Sequence, residues 1–203
     1  MTTTTTNKAT LSSDTPSNQP WTYETLAECS TTQLENILLA GSAPDPEALN
    51  GWIYCGWNHE WVGKLSGEKF KKGFYKKDGK NFGYNEICNQ DSDGFRGKWN
   101  VRLTNGRPTQ LGYFRSTYVK EEPPQPLYKP YQHLAHFNYD LPDMNKGIYF
   151  FFRVIRDFVV LPNPGDHSLM LCKAYLQFIY PSVNVFYCYF LLGHRLKIEH
   201  LPW

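Results

Sequence analysis

The stretch KFKKGFYKKDGKNFGYNEIC, Lys69 to Cys88, sets two aromatic-rich runs on either side of Asp78-Gly79. That dipeptide supplies the positive φ angles of a two-residue turn, so the stretch reads as a β-hairpin. The same grammar recurs at LTNGRP, where Asn105-Gly106 separates GKWNVRL from TQLGYFRSTYV. The prolines of EEPPQP then interrupt the ladder, because proline cannot donate to it. Four more runs follow: YKPYQHLAHFNYD, VIRDFVVL, DHSLMLCKAYLQFIY and NVFYCYFLLGHRLKI, separated by LPDMNKG, PNPGD and YPS. GIYFFFRVI is open between a strand and a short helix leading into RDFVVL. About eight strands joined by short links point to an up-and-down antiparallel sheet, and that number suffices to close a barrel around side chains or one small ligand.

Upstream of the strands, residues 1–20 are Thr, Ser, Asn and Pro with almost nothing apolar, the composition of a disordered tail. Residues 21–203 then form a single barrel domain with an N-terminal helix. In TYETLAECSTTQLENILLAG, Leu26, Leu34, Ile37 and Leu38 follow a helical repeat, Thr31 or Thr32 is the cap, and Gly41 the stop. DPEALNG makes one further helical turn before GWIYCGWNHEW, which carries Trp52, Trp57 and Trp61. Trp52 and Trp57 are an odd number of steps apart, so on a regular strand they face opposite ways.

Composition closes several routes. Lys plus Arg number 21 and Asp plus Glu 19, a net charge of +2, without the basic excess of a general nucleic-acid binder. Cys29, Cys55, Cys88, Cys172 and Cys188 are an odd set without a CxxC pair, which argues against a zinc knuckle and for free thiols in a cytoplasmic, reducing compartment. The most apolar runs are interrupted by charge or are too short to serve as a transmembrane segment. No P-loop, GxGxxG or GxSxG occurs, so no cofactor is expected.

The chain resembles the calycin group of barrels, which includes lipocalins and GXWXG-type proteins: a short helix, a Gly-Trp at the start of the first strand, then repeated hairpins. It also resembles an uncharacterised family of bacterial proteins in the order of Gly51-Trp52 with Trp57-Asn58, Lys69 to Tyr75, Gly83 to Asn85, Gly112 to Arg115, Tyr131 to Leu134, Arg156 to Val159, Pro164 to Asp166, Lys173 to Leu176 and His194-Arg195. The resemblance spans residues 35–196. It implies a shared fold, no particular chemistry, and, through the calycin analogy, a small apolar ligand.

Four strand faces mix tyrosine with one ionisable group each. They are Phe82, Tyr84, Glu86 and Cys88; Leu111, Tyr113, Arg115 and Thr117; Tyr131, His133, Ala135, Phe137 and Tyr139; and Leu169, Leu171, Lys173, Tyr175 and Gln177. If they converge, Trp57, Tyr84, Glu86, Tyr113, Arg115, His133, Lys173 and Tyr175 line a pocket for an apolar molecule with a polar or anionic group. If they do not, the charged groups face solvent or pair structurally. Two alternatives share this frame. In an enzyme, His133 or Glu86 moves a proton while Arg115 or Lys173 stabilises negative charge. In an interaction module, the barrel is fully packed and its surface binds, and the aromatic runs 148–160 and 183–192 are candidates for a homodimer contact. The paired histidines of HLAH face opposite ways on a strand, and NQDSDGFRGKWN lacks the final glutamate of a calcium loop, so no metal site is expected. The lysines at 69, 71, 72, 76, 77 and 80 read as a solvated, protected strand edge.

Overall fold

A computed structural model describes residues 19–60, 67–178, 183–199 and 201. The tail assigned to residues 1–20 falls almost wholly outside these, as do Trp61 and the YPS turn.

Among the described residues, three short helices come first: α1 (Tyr23–Ala27), α2 (Thr31–Ala40) and α3 (Pro46–Leu49). The sequence suggested one longer helix. Thr22 and Ser30 each form a reciprocal capping box instead, so the chain turns at Glu28–Ser30 and starts a second helix there. Ser30, not Thr31 or Thr32, is the cap, and Gly41 ends α2.

Among the described residues ten strands follow: β1 (Trp52–Asn58), β2 (Lys69–Lys77), β3 (Lys80–Ile87), β4 (Leu103–Thr104), β5 (Arg107–Pro108), β6 (Gln110–Tyr118), β7 (Ala135–Asn138), β8 (Ile155–Val160), β9 (Met170–Phe178) and β10 (Val183–Lys197). Eight close into an antiparallel barrel in the order β1-β10-β9-β8-β7-β6-β3-β2. The β2–β3 hairpin forms as read, with Asp78 at φ 48° and Gly79 at φ 71°.

The Asn105-Gly106 turn also forms, but it joins β4 to β5 in a separate two-stranded sheet. GKWNVRL is therefore a side excursion and not a barrel strand; β3 pairs directly with β6. YKPYQHLAHFNYD is shorter as a strand than its pattern suggests. Pro126 and Pro130 hold Pro126–Tyr131 in a 3-10 turn, and only Ala135–Asn138 joins the sheet. GIYFFFRV, Gly147–Val154, is 3-10 helix leading into β8.

Both faces of the cylinder are buried. Inside, Tyr54, Phe74, Phe114, Phe137, Val159 and Met170 pack one half of the lumen. Gly83 is required there: a Cβ at that position would sit 2.1 Å from the Phe114 ring. Outside, α1, α2 and the 3-10 turn at Pro126–Tyr131 lay Leu26, Leu34, Leu38, Tyr128 and Tyr131 over Phe158, Leu171, Tyr189 and Leu191. Trp52 lies against the inner core beneath the Arg195 guanidinium, 4.5 Å from its ring centroid. Trp57 points outward into the helix-covered core, and its indole N–H donates to Glu68 Oε1 at 3.0 Å.

Candidate functional site

The unpacked half of the lumen lies at the end where β2, β6, β8 and β10 begin. There a cavity of about 260 Å³ is bounded by Phe70, Leu111, Phe152, Ile155, Tyr187 and Phe190. Lys72, Asp157 and Tyr139 also line it.

The order of strands explains how they meet. β2 and β8 are four places apart around the eight-strand ring, on opposite walls. On β2, Lys72 shares the inward phase with Phe70 and Phe74, and it sits opposite Tyr54 on β1 and Asn85 on β3. On β8, Asp157 is flanked by Phe137 of β7 and Ala174 of β9. The small Ala174 side chain leaves room above the carboxylate. A lysine is long enough to cross the lumen. Its Nζ lies 3.6 Å from Asp157 Oδ2 and donates to Tyr139 Oη at 2.5 Å. The Tyr139 hydroxyl in turn donates to Asp157 Oδ2 at 2.9 Å.

Tyr139 follows β7 and is fixed by Asn145. The amide of Asn145 donates to the Tyr139 carbonyl at 2.8 Å and to the Tyr113 carbonyl at 2.7 Å, tying the loop after β7 to β6.

Lys72 is 1% exposed, Asp157 2% and Tyr139 3%. Five rings surround the Lys72 nitrogen: Phe114 at 4.5 Å from the centroid, Tyr139 at 5.1 Å, Phe190 at 5.3 Å, Phe70 at 5.6 Å and Phe137 at 5.7 Å. Aromatic faces attract a cation, so the cage offsets part of the cost of burying one. Burial still dominates. It lowers the Lys72 pKa, with Asp157 opposing, and it raises the Asp157 pKa, with Lys72 opposing. Both shifts favour the neutral forms, so the two groups compete for one proton. Burial, then the Asp157 charge, raises the Tyr139 pKa well above its ordinary value, and the phenol stays protonated.

The structure does not bring together in the lumen the side chains that sequence reasoning singled out. Of the eight, only Glu86 borders the cavity, where its carboxylate accepts from Gln110 Nε2 at 3.2 Å. Tyr84 and Tyr113 pack with Tyr75 and Phe82 in a small cluster against Ile53, separate from the inner core. Arg115 pairs with Glu122 at 3.2 Å. His133 is exposed in the turn before β7. Lys173 and Tyr175 lie beneath α2. There Lys173 bonds Glu35 at 2.7 Å and Tyr131 Oη at 2.9 Å, and Tyr131 Oη meets Tyr175 Oη at 3.1 Å. Burial alone would lower the Lys173 pKa; the bond to Glu35, then that to Tyr131, reverses this and raises it. The physical reason is shared by most of these. Helices and turns cover the outer sheet face, so a mixed face on it is buried without facing the lumen.

Sequence reasoning missed Lys72 and Asp157, although each carried a signal. Lys72 lies between two phenylalanines of its alternating phase, Phe70-x-Lys72-x-Phe74, and Asp157 is the lone ionisable residue of Ile155-x-Asp157-x-Val159. The lysines of β2 are not a solvated edge, because β2 is paired on both sides. Lys69 is also buried and bonds Asp91 in the former calcium-loop candidate. Among the described residues, no group of three His, Cys, Asp or Glu side chains is placed to hold a metal ion. No helix among them is long and apolar enough to cross a membrane. The five cysteines are free and buried.

Comparison with protein-family models, with curated proteins and with solved structures returned no match.

Proposed function

We propose that the protein binds a small, largely apolar molecule in the open half of its barrel, with the polar end of that molecule against Lys72, Tyr139 and Asp157. The observation that carries this reading is an ion-pairing couple buried across a lumen that still holds a cavity of about 260 Å³. A buried pair is a costly way to fill a core, since apolar residues of similar volume are often as stable or more so. The pocket lies just under the size range of about 300–1,000 Å³ usual for ligand sites, so the occupant is small. Phe70, Phe152, Ile155 and Phe190 supply apolar contact, worth about 25 cal/mol per Å² removed from water. The couple both donates and accepts, which suits a hydroxyl, carbonyl or carboxyl head.

The closed eight-strand barrel is compatible with the calycin resemblance, and that analogy supports the same reading. Free cysteines support a reducing, cytoplasmic setting. Ile148 and Phe150, 75% and 65% exposed, are where a homodimer contact would form, and light scattering across a dilution series tests it.

The decisive experiment is native mass spectrometry of the protein purified from its own host, followed by organic extraction. One passenger per chain is expected, and Ala174→Phe, which fills the space above Asp157, should lose it. An empty wild-type barrel, or equal loading in the variant, refutes the reading.

A further inference from the structure

The lumen contains three other groups beside the Lys72 amine that bear on its chemistry. The Cys172 and Cys188 thiols share its inner wall, and burial raises both pKa values well above the ordinary one, so they stay protonated. The Tyr139 phenol likewise keeps its proton. Lys72 is a nucleophile there whose reactive, neutral form burial favours, with Asp157 opposing. A desolvated lysine beside an acid is the arrangement that carbonyl condensation requires.

Resting on the ligand-binding reading above, we propose that Lys72 forms a reversible Schiff base with a small unsaturated or aromatic aldehyde held in the cavity. The amine nitrogen attacks the carbonyl carbon, a C–N bond forms, and the carbonyl oxygen takes the proton of Asp157, whose carboxyl lies 3.6 Å from that nitrogen. The nitrogen then returns a proton to Asp157. In the second step Asp157 protonates the carbinolamine hydroxyl, the C–O bond breaks and water leaves. Amine, carboxylic acid and aldehyde thus become a protonated imine, a carboxylate and water, with no change of oxidation state. The product cation remains within the five-ring cage that surrounds the Lys72 nitrogen, and Asp157, 3.6 Å away across the lumen, is its counter-ion. An aldehyde conjugated to a ring or double bond places a flat body against Phe70 and Phe190, which border the same cavity.

The test uses trans-cinnamaldehyde with sodium cyanoborohydride on the intact wild-type protein, followed by peptide mapping. In parallel, cinnamyl alcohol, which has the same body without the carbonyl, is titrated calorimetrically. One reduced adduct per chain at Lys72 is expected, formed faster than at the exposed Lys77 and Lys80. Lys72→Met should leave no reduced adduct in the lumen. If the alcohol binds but adducts fall only on exposed lysines, the Schiff-base inference is overturned and the binding reading stands. If the alcohol does not bind and Lys72 is not labelled, both are overturned. The mapping is done on wild-type protein, so it holds even if a variant fails to fold.

Discussion

Removing the Asp157 charge alone should be far more damaging than removing both partners of the buried couple. With the shared proton on Lys72, the two groups at 3.6 Å attract by about 5 kcal/mol at an effective dielectric of 20. Both side chains are nearly sealed from water, so a lone survivor keeps its desolvation cost without that return. Asp157→Ala is therefore expected to cost about 3–5 kcal/mol, the range for a broken buried pair. Lys72→Met combined with Asp157→Leu replaces the couple by apolar groups of similar length and should be neutral or stabilising by about 1–4 kcal/mol. The coupling energy from the double-mutant cycle should then reach several kcal/mol, well beyond the roughly 0.5 kcal/mol scatter of independent sites. The assay is equilibrium unfolding in urea at pH 7, with circular dichroism and tyrosine fluorescence compared to check for a single transition. Single variants that each lose less than about 1 kcal/mol, the scale of an exposed pair, would show that the two groups are solvated. The description of the lumen would then be wrong.

Three further outcomes follow from the packing and the charges. Gly83→Ala drives a methyl to 2.1 Å from Phe114 and 2.7 Å from the Gly73 carbonyl, and should cost about 1–3 kcal/mol by urea unfolding. The Glu122 pKa is lowered from 4.5 to about 2 by His136, then by Thr117 and Arg115 against the opposing effect of burial, so its contribution is present above pH 4.5 and is lost as pH falls toward 2. Burial lowers the His136 pKa and leaves that imidazole mostly neutral at pH 7, so only part of the roughly 3 kcal/mol such a shift represents should appear when Glu122→Gln is compared with wild type at pH 7, and the difference should vanish near pH 2. Glu60 runs the other way: burial raises its pKa from 4.5 to about 7, so its stability cost grows as pH rises between those values. Glu60→Gln should accordingly gain about 1–2 kcal/mol over wild type at pH 8 and nothing at pH 4, as read from thermal unfolding.

The architecture was legible because turn chemistry is local. Asp78-Gly79 and Asn105-Gly106 announce their turns without reference to the rest of the chain, and both form. What they join is not local: the second turn reads identically to the first yet makes a two-stranded flap outside the barrel. The site was harder. Alternation separates the two faces of a strand but does not say which is the inside, and in β9 the mixed face of Lys173 and Tyr175 is as buried as the apolar one, because α2 covers it. Lys72 was obscured by its neighbours, since six lysines on one hairpin look like a solvated surface until the register puts one of them between Phe70 and Phe74. Asp157 became visible only with closure of the ring, which sets β8 across from β2.

An X-ray structure of the protein as purified from its own host tests the central claim most directly. The expected result is density for a small molecule between Lys72 and Phe152, with its polar end within hydrogen-bonding distance of Lys72, Tyr139 or Asp157. A lumen filled by side chains, with the Lys72 amine turned out to solvent, would contradict it.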